Sequence, residues 1–169
     1  MAVLQTLALL VLPALAIAAA LKDASSYTIP NRLTAAVALA FVPAALLIGL
    51  PLQSVAICFG LGAAALVVGM IMFALGWIGG GDAKLFAGCA LWMGLSGVFP
   101  FLMWTALGGG ALAVLLLQAR RTPSLARLPG PAWAMRLIRP GENVPYGVAI
   151  AAGTLIAFPS SVLMRAMQL

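Results

Sequence analysis

Long runs without any charged residue are the feature that most limits how this chain can fold. They cover residues 1–21, 33–81, 85–119 and 143–164. Because about 20 apolar residues cross a bilayer as a helix, their lengths predict one, two, two and one spans respectively. Only 7% of the residues are charged, whereas about a quarter are charged in a soluble domain, so that class is excluded. We expect an all-α integral membrane protein, a single domain over residues 1–169 formed by a bundle of about six transmembrane helices.

Turn-forming residues divide the two longer runs. Gly49-Leu50-Pro51 interrupts the second run, and Ser96-Gly97 interrupts the third. An alternative for the first span is a cleaved signal peptide, because small residues follow its apolar stretch, but no Lys or Arg precedes that stretch. The six predicted spans lie near 2–21, 34–50, 54–75, 82–96, 98–117 and 145–164.

The basic residues predict the orientation of the bundle. Eight of the nine Lys and Arg residues follow spans one, three or five, and the loops after spans two and four carry no charge. The positive-inside rule therefore places both termini outside and makes three segments cytoplasmic, near 22–33, 76–84 and 118–143. Within the last of these, Trp133 to Arg139 could lie as a short interfacial helix on anionic headgroups. Membrane topology accounts for the net charge of +6, and no nucleic-acid partner is needed.

Carboxylates are scarce, and all three fall on the predicted cytoplasmic side: Asp23, Asp82 and Glu142. A carboxylate beside an apolar helix is kept against a desolvation cost, which marks Asp23 and Asp82 as candidate site residues. The plain alternative is that both are solvated among the headgroups and paired with neighbouring Lys residues. Asp82 follows three glycines and begins a helix, where the backbone can approach a ligand and N–H groups are free.

The residue types restrict the chemistry further. The chain has no His, which excludes Ser-His and Cys-His catalysis and any His-ligated metal, and its two Cys lie singly in apolar runs. Two carboxylates brought within hydrogen-bond reach share one proton. The charged member activates water while the protonated member polarises a peptide carbonyl, so we expect an aspartyl mechanism that uses no metal and no cofactor.

Three sequence blocks resemble the signature motifs of type IV prepilin peptidases, the GxGD class of intramembrane aspartyl proteases. The first block has the pattern D-x5-I-P-N, the second is GxGD followed by x-K-L, and the third is a P-Y-G segment that opens the last span. They occur in order in predicted loops one, three and five, so the resemblance covers nearly the whole chain. Their residues are Asp23, Ile29, Pro30 and Asn31 in the first block, Gly79, Gly80, Gly81, Asp82 and Lys84 in the second, and Pro145, Tyr146 and Gly147 in the third.

The resemblance implies an aspartic endopeptidase of type IV pilus and secretion systems. It would lie in the inner (cytoplasmic) membrane with its site facing the cytoplasm, and it would remove the short basic leader from prepilin-like precursors. Asp23 and Asp82 would be the catalytic pair, and the other motif residues would bind substrate or shape the site. Long members of this family carry a four-cysteine zinc site and are associated with N-methylation, whereas this chain has two cysteines. It is more similar to the compact peptidases of tight-adherence (Flp-type) pili and to archaeal preflagellin peptidases.

The same residues allow other functions. A small transporter or a pilus or secretion assembly subunit could use Asp23 and Asp82 as a proton or ion relay, but a relay needs polar residues across the bilayer, and the predicted midplanes are apolar. A presenilin-like protease shares GxGD but leaves the D-x5-I-P-N block unexplained. Lys84 could hold the substrate backbone or anchor a cytoplasmic helix end. Glu142 could attract a basic leader or balance the charge of its loop. The oligomeric state is open.

Overall fold

The computed structural model describes residues 2–122 and 130–168, and these form helices joined by short links. Within those ranges there is no strand, so the predicted all-α fold is confirmed. Five helical segments are long and apolar enough to cross a membrane, which makes this a multi-pass membrane protein. The helices are α1 (Ala2–Ser26), α2 (Asn31–Ile48), α3 (Leu52–Ala74), α4 (Gly80–Arg120), the short α5 (Ala132–Leu137), α6 (Tyr146–Ala157) and α7 (Val162–Gln168), with a 3-10 turn, Phe158–Ser160, before α7.

Helix α4 contains two of the six predicted spans. Its 41 residues would extend about 60 Å as a straight helix, twice the thickness of a bilayer core. The backbone leaves the helical region at Gly94, with φ 60° and ψ −170°, and this divides α4 into halves 80–93 and 95–120. The predicted break at Ser96-Gly97 is therefore wrong by a few residues. Gly94 adopts the positive φ that glycine tolerates, while a Cβ atom on Gly97 would lie 3.1 Å from the Cα of Ser161.

Two other boundaries also differ from the prediction. Helix α1 continues to Ser26 instead of ending near residue 21, because a Lys-Asp pair does not stop a helix, and the N–H of Tyr27 still donates to the carbonyl of Asp23 at 2.7 Å. The last predicted span, 145–164, is not one helix, because α6 ends at Ala157 and the 3-10 turn containing Pro159 follows. Because α1 extends to Ser26, Asp23 lies on a helix and not in a loop.

The first half of α4 lies at the centre of the bundle. Trp92 is fully buried there, donates its Nε1–H to the carbonyl of Val37 on α2 at 2.8 Å, and packs edge-on against Phe41. A glycine on α3 allows close approach, since a Cβ atom on Gly69 would lie 3.0 Å from the Cβ of Ala83. A helix that is apolar on all sides is stable when other helices or lipid surround it. Here α2 and α3 pack against the first half of α4, so α4 begins beside the ends of these helices.

The links after α1, after α3 and before α6 meet at one end of the bundle. Lys84 at the start of α4 donates to the side-chain amide oxygen of Asn31 at 2.9 Å, and Arg120 at its end donates to the carbonyl of Asn143 at 2.8 Å. The opposite end is marked by the bond from Gln5 to the carbonyl of Leu47 at 3.0 Å. The three motif blocks therefore share one end. Residues 123–129 of the predicted basic loop lie outside the described residues.

Candidate active site

Asp23 is held by the amino-terminal end of α6. Its side chain projects from the last turns of α1 with only 4% of its surface exposed. Oδ2 accepts a hydrogen bond from the backbone N–H of Gly147 at 2.7 Å. Gly147 is the second residue of α6, and N–H groups in the first turn of a helix have no partner within that helix. The start of α6 therefore fixes the position of this carboxylate and offers a positive dipole to it.

Gly147 leaves no room for a side chain. A Cβ atom at this position would lie 2.9 Å from both Cβ and Oδ2 of Asp23, and 2.9 Å from Cδ1 of Ile29. Contacts this short do not occur without displacement of a neighbour. Two of the sequence blocks thus meet at Gly147, and its lack of a side chain allows Asp23 to contact the backbone of α6.

Asp82 lies in the first turn of α4, where it accepts a hydrogen bond from the residue that precedes the helix. Its Oδ2 accepts from the N–H of Gly79 at 3.3 Å, as acidic residues at the third helical position do. Its Oδ1 is buried and has no hydrogen-bond partner among the residues that the structure describes. Asp23 is close enough for its charge to act on Asp82, and the N–H of Gly147 lies near both side chains. A buried oxygen without a partner is costly, and a substrate or a water would satisfy it.

The glycines before Asp82 bring the first two blocks into contact. A Cβ atom on Gly81 would lie 3.1 Å from the Cβ of Ile29, and one on Gly80 would lie 3.4 Å from the ring of Phe73. On the other side, Pro30 precedes α2 and its carbonyl accepts from the N–H groups of Leu33 and Thr34. The close approach of Gly81 to Ile29 and the bond from Lys84 to Asn31 join the second block to the first. Lys84 therefore has a hydrogen-bond partner within the protein, the side chain of Asn31.

Both carboxylates line the same space at this end of the bundle. Two adjoining cavities of about 230 Å³ each contain Asp23 and Asp82 in their walls. The first is completed by Trp77, Asn143 and Tyr146, and the second by residues 28–29 and the three glycines. Such volumes hold several waters or a short stretch of polypeptide. The cavity walls contain residues from all three blocks, with Tyr146 from the third. Pro145 directly precedes α6 and lines neither cavity.

Tyr27 belongs to this site although no motif predicted it. It lines both cavities and has φ 53°, a left-handed conformation that is strained for a residue with a side chain. Its hydroxyl is buried and lacks a hydrogen-bond partner within the described part of the chain. Burial raises the pKa of the Tyr27 hydroxyl, and the charge of Glu142 adds to this, while Arg120 and Arg136 lower it. The only signal in the sequence is that Tyr27 occupies the position after a helix end, where glycine is usual.

Comparison with known proteins gives one match. The model of the type IV leader peptidase family matches residues 10–114, a range that contains Asp23 and the GxGD block and ends before Pro145. No match was found among curated proteins or among solved structures.

Proposed function

The chain belongs to the type IV leader peptidase family, and we propose that it is an aspartic endopeptidase, formed as a single transmembrane domain, with Asp23 and Asp82 as its catalytic pair. Its substrates are prepilin-like precursors, whose short basic leader it removes at the cytoplasmic face of the inner membrane. The observation that carries this proposal is that the two carboxylates, which come from different helices, line the same cavities. The third acid, Glu142, is absent from the walls of both.

The geometry supports a division of labour within the pair. One oxygen of each carboxylate accepts a backbone N–H, from Gly147 or from Gly79, while Oδ1 of Asp82 has no partner in the described structure. With one proton shared between the two groups, the ionised carboxylate removes a proton from water and the protonated one donates to the scissile carbonyl. The resulting gem-diol intermediate collapses when the leaving nitrogen takes up the proton that the base had removed and the C–N bond breaks. One hydroxyl of the intermediate returns its proton to the carboxylate that had acted as the acid, so the new carbonyl forms and the pair again holds one proton.

A direct assay tests this activity. We expect the purified chain in lipid vesicles to convert an Flp-type prepilin to a shorter product, seen as a mobility shift, with a new amino terminus directly after the basic leader. Mass spectrometry of the product locates the cut. An unchanged precursor, or a cut within the mature region, would contradict the proposed substrate.

The proposed orientation is tested by cysteine labelling. In a background with Cys58→Ala and Cys89→Ala, a cysteine at Gln53 should react with a membrane-impermeant maleimide on intact cells. A cysteine at Thr122 should react only after the cells are permeabilised, because basic segments stay in the cytoplasm. Both positions are exposed and lie near opposite ends of the bundle. The reverse pattern would put the carboxylates on the wrong side for a basic leader.

Cleavage is expected to be independent of added metal. The chain has no His, and its two cysteines are buried on different helices, α3 and α4, so they supply neither a zinc cluster nor a metal-bound water. Purified enzyme should cleave the precursor at an unchanged rate in a strong chelator. The product should remain unmethylated when a methyl donor is supplied. Loss of cleavage on chelation, with recovery on adding zinc, would overturn the aspartyl mechanism, while a product heavier by one methyl group would overturn only the absence of methylation.

A proton or ion relay remains the alternative for the two acids. A relay requires polar groups between the site and the opposite end of the bundle. In the described ranges, the polar residues that are buried as a whole, besides Asp23, are Thr34, Thr154 and Ser161, and away from the site buried hydroxyls also occur on Ser96 and Thr105. The hydroxyls of Thr34 and Thr154 donate to carbonyls within their own helices. Family membership and this apolar interior both favour the peptidase.

A further inference from the structure

Arg120, the last residue of α4, bonds to the backbone of the chain that leads into α6. Its Nε donates to the carbonyl of Leu137 at 3.0 Å, and its Nη2 donates to the carbonyl of Asn143 at 2.8 Å. Leu137 is the last residue of α5, and Asn143 lies shortly before α6 begins at Tyr146. We call residues 138–145 the α5–α6 link. One side chain therefore binds the chain at the start of this link and again near its end.

The end of the α5–α6 link has little other hydrogen bonding to hold it. Within the part of the chain that the structure describes, Asn143 and Val144 take part in no backbone–backbone hydrogen bond. The bond from Arg120 to the carbonyl of Asn143 therefore restrains a stretch that no helix stabilises. A guanidinium suits this task, because its donors are fixed in one plane and can reach two acceptors at once.

The α5–α6 link forms part of the candidate active site. Asn143 and Val144 line the cavity whose walls also contain Asp23 and Asp82. Asp23 itself is held from another point, because it accepts the N–H of Gly147 within α6. A displaced link would therefore change the wall that a substrate meets more than it would move the carboxylate.

A cation at the cytoplasmic end of a helix can simply anchor that end, through the helix dipole and the membrane surface. Arg121 fits this simpler role, since its side chain is exposed and has no hydrogen bond or ion pair with any residue that the structure describes. Arg120 is different, because its guanidinium is half-buried and turned toward the protein. It is also close enough for its charge to act on the hydroxyl of Tyr27, which lines the same cavity as Asn143.

From these contacts we propose that Arg120 is a positioning residue, which fixes the α5–α6 link as a wall of the substrate cavity by binding the carbonyls of Leu137 and Asn143. This inference rests on the proposed function, because the cavity is the one in which a precursor would be cut. Its consequence is that loss of the two Arg120 bonds weakens substrate binding more than it slows the chemical step, since Gly147 still holds Asp23.

Steady-state kinetics test the positioning role. Arg120→Lys keeps the positive charge at the helix end, but an ammonium cannot reproduce the two bonds of the planar guanidinium. For an Flp-type prepilin in detergent micelles, we expect KM to rise about tenfold and kcat to change less than about threefold, the pattern of lost binding. The matched control, Arg121→Lys, should leave both constants within about twofold of the parent. An unchanged KM in Arg120→Lys, whether or not kcat falls, would overturn the proposal.

Limited proteolysis follows the α5–α6 link without using the peptidase activity. Glu142 is the only glutamate in the chain and directly precedes Asn143. A glutamyl endopeptidase added to the purified chain therefore cuts within the link, at a rate that reports how often the link opens. We expect Arg120→Lys to be cut about fivefold faster than the parent and Arg121→Lys at the parental rate.

Equal rates of cutting in Arg120→Lys and Arg121→Lys would contradict the restraint of the link by Arg120. If the parent chain processed no precursor while Arg120→Lys was still cut faster, the proposed peptidase activity would fail and the restraint of the link would stand.

Discussion

Replacing either carboxylate by its amide, Asp23→Asn or Asp82→Asn, is expected to lower processing of a prepilin at least a thousandfold. Asparagine keeps the size of aspartate, and its oxygen can still accept the N–H of Gly147 or Gly79. It can neither take up nor share a proton, so neither the activation of water nor the polarisation of the carbonyl can occur. The measurement is the fraction of precursor converted in vesicles that contain equal amounts of each variant.

Two comparisons separate loss of chemistry from loss of folding. The double variant should be no less active than the worse single variant, because the two groups act as one unit. Glu142→Gln removes the remaining acid, which lines neither cavity of the pair, and should change the rate no more than severalfold. Full processing by either single variant would contradict the assignment of the pair. An equally large loss in Glu142→Gln would show that any lost carboxylate at this end is damaging.

The fold was predictable from sequence where it depends on length and hydrophobicity. Charge-free runs set the number of spans, because each must cross the same apolar thickness, and the all-α bundle follows. Helix ends were predicted less well. Asp23 lies within α1 because the backbone hydrogen bonds of the helix continue past the apolar run to Tyr27, which hydropathy does not register. The sequence did not distinguish Gly94 from the residues around it, because the positive φ of Gly94 depends on how the two halves of α4 pack.

The candidate site was predictable only as a set of residues. Scarcity of acids and the three blocks singled out Asp23, Asp82 and Gly147, but no spacing shows that a glycine 124 residues after an aspartate donates a hydrogen bond to it. Tyr27 carried only one sequence signal, its position after a helix end, because its place in the site depends on a left-handed backbone conformation.

Gly147→Ala is expected to lower activity at least a hundredfold although it adds only one methyl group. The added carbon would lie 2.9 Å from Cβ and Oδ2 of Asp23, so either Asp23 or the start of α6 must move. Displacing a catalytic group by about 1 Å can cost a hundredfold in rate, because reacting atoms must be aligned. Alanine keeps the backbone N–H, so the hydrogen bond to Asp23 is lost only through displacement. The measurement is the rate of prepilin cleavage, together with the thermal unfolding midpoint of the variant in detergent.

Gly108→Ala provides the matched control for this substitution. Gly108 also lies on a membrane helix that packs against α6, but a Cβ atom there would lie 3.9 Å from the carbonyl oxygen of Ala149, an ordinary contact. We expect its cleavage rate to stay within twofold of the parent, since nothing has to move. If Gly147→Ala cleaved at the parental rate, Asp23 would not need the close contact with α6 that the structure gives it. If Gly147→Ala lost activity and also unfolded far below the Gly108→Ala variant, the role of Gly147 would lie in holding α6 in the bundle, and the positioning of Asp23 would need another explanation.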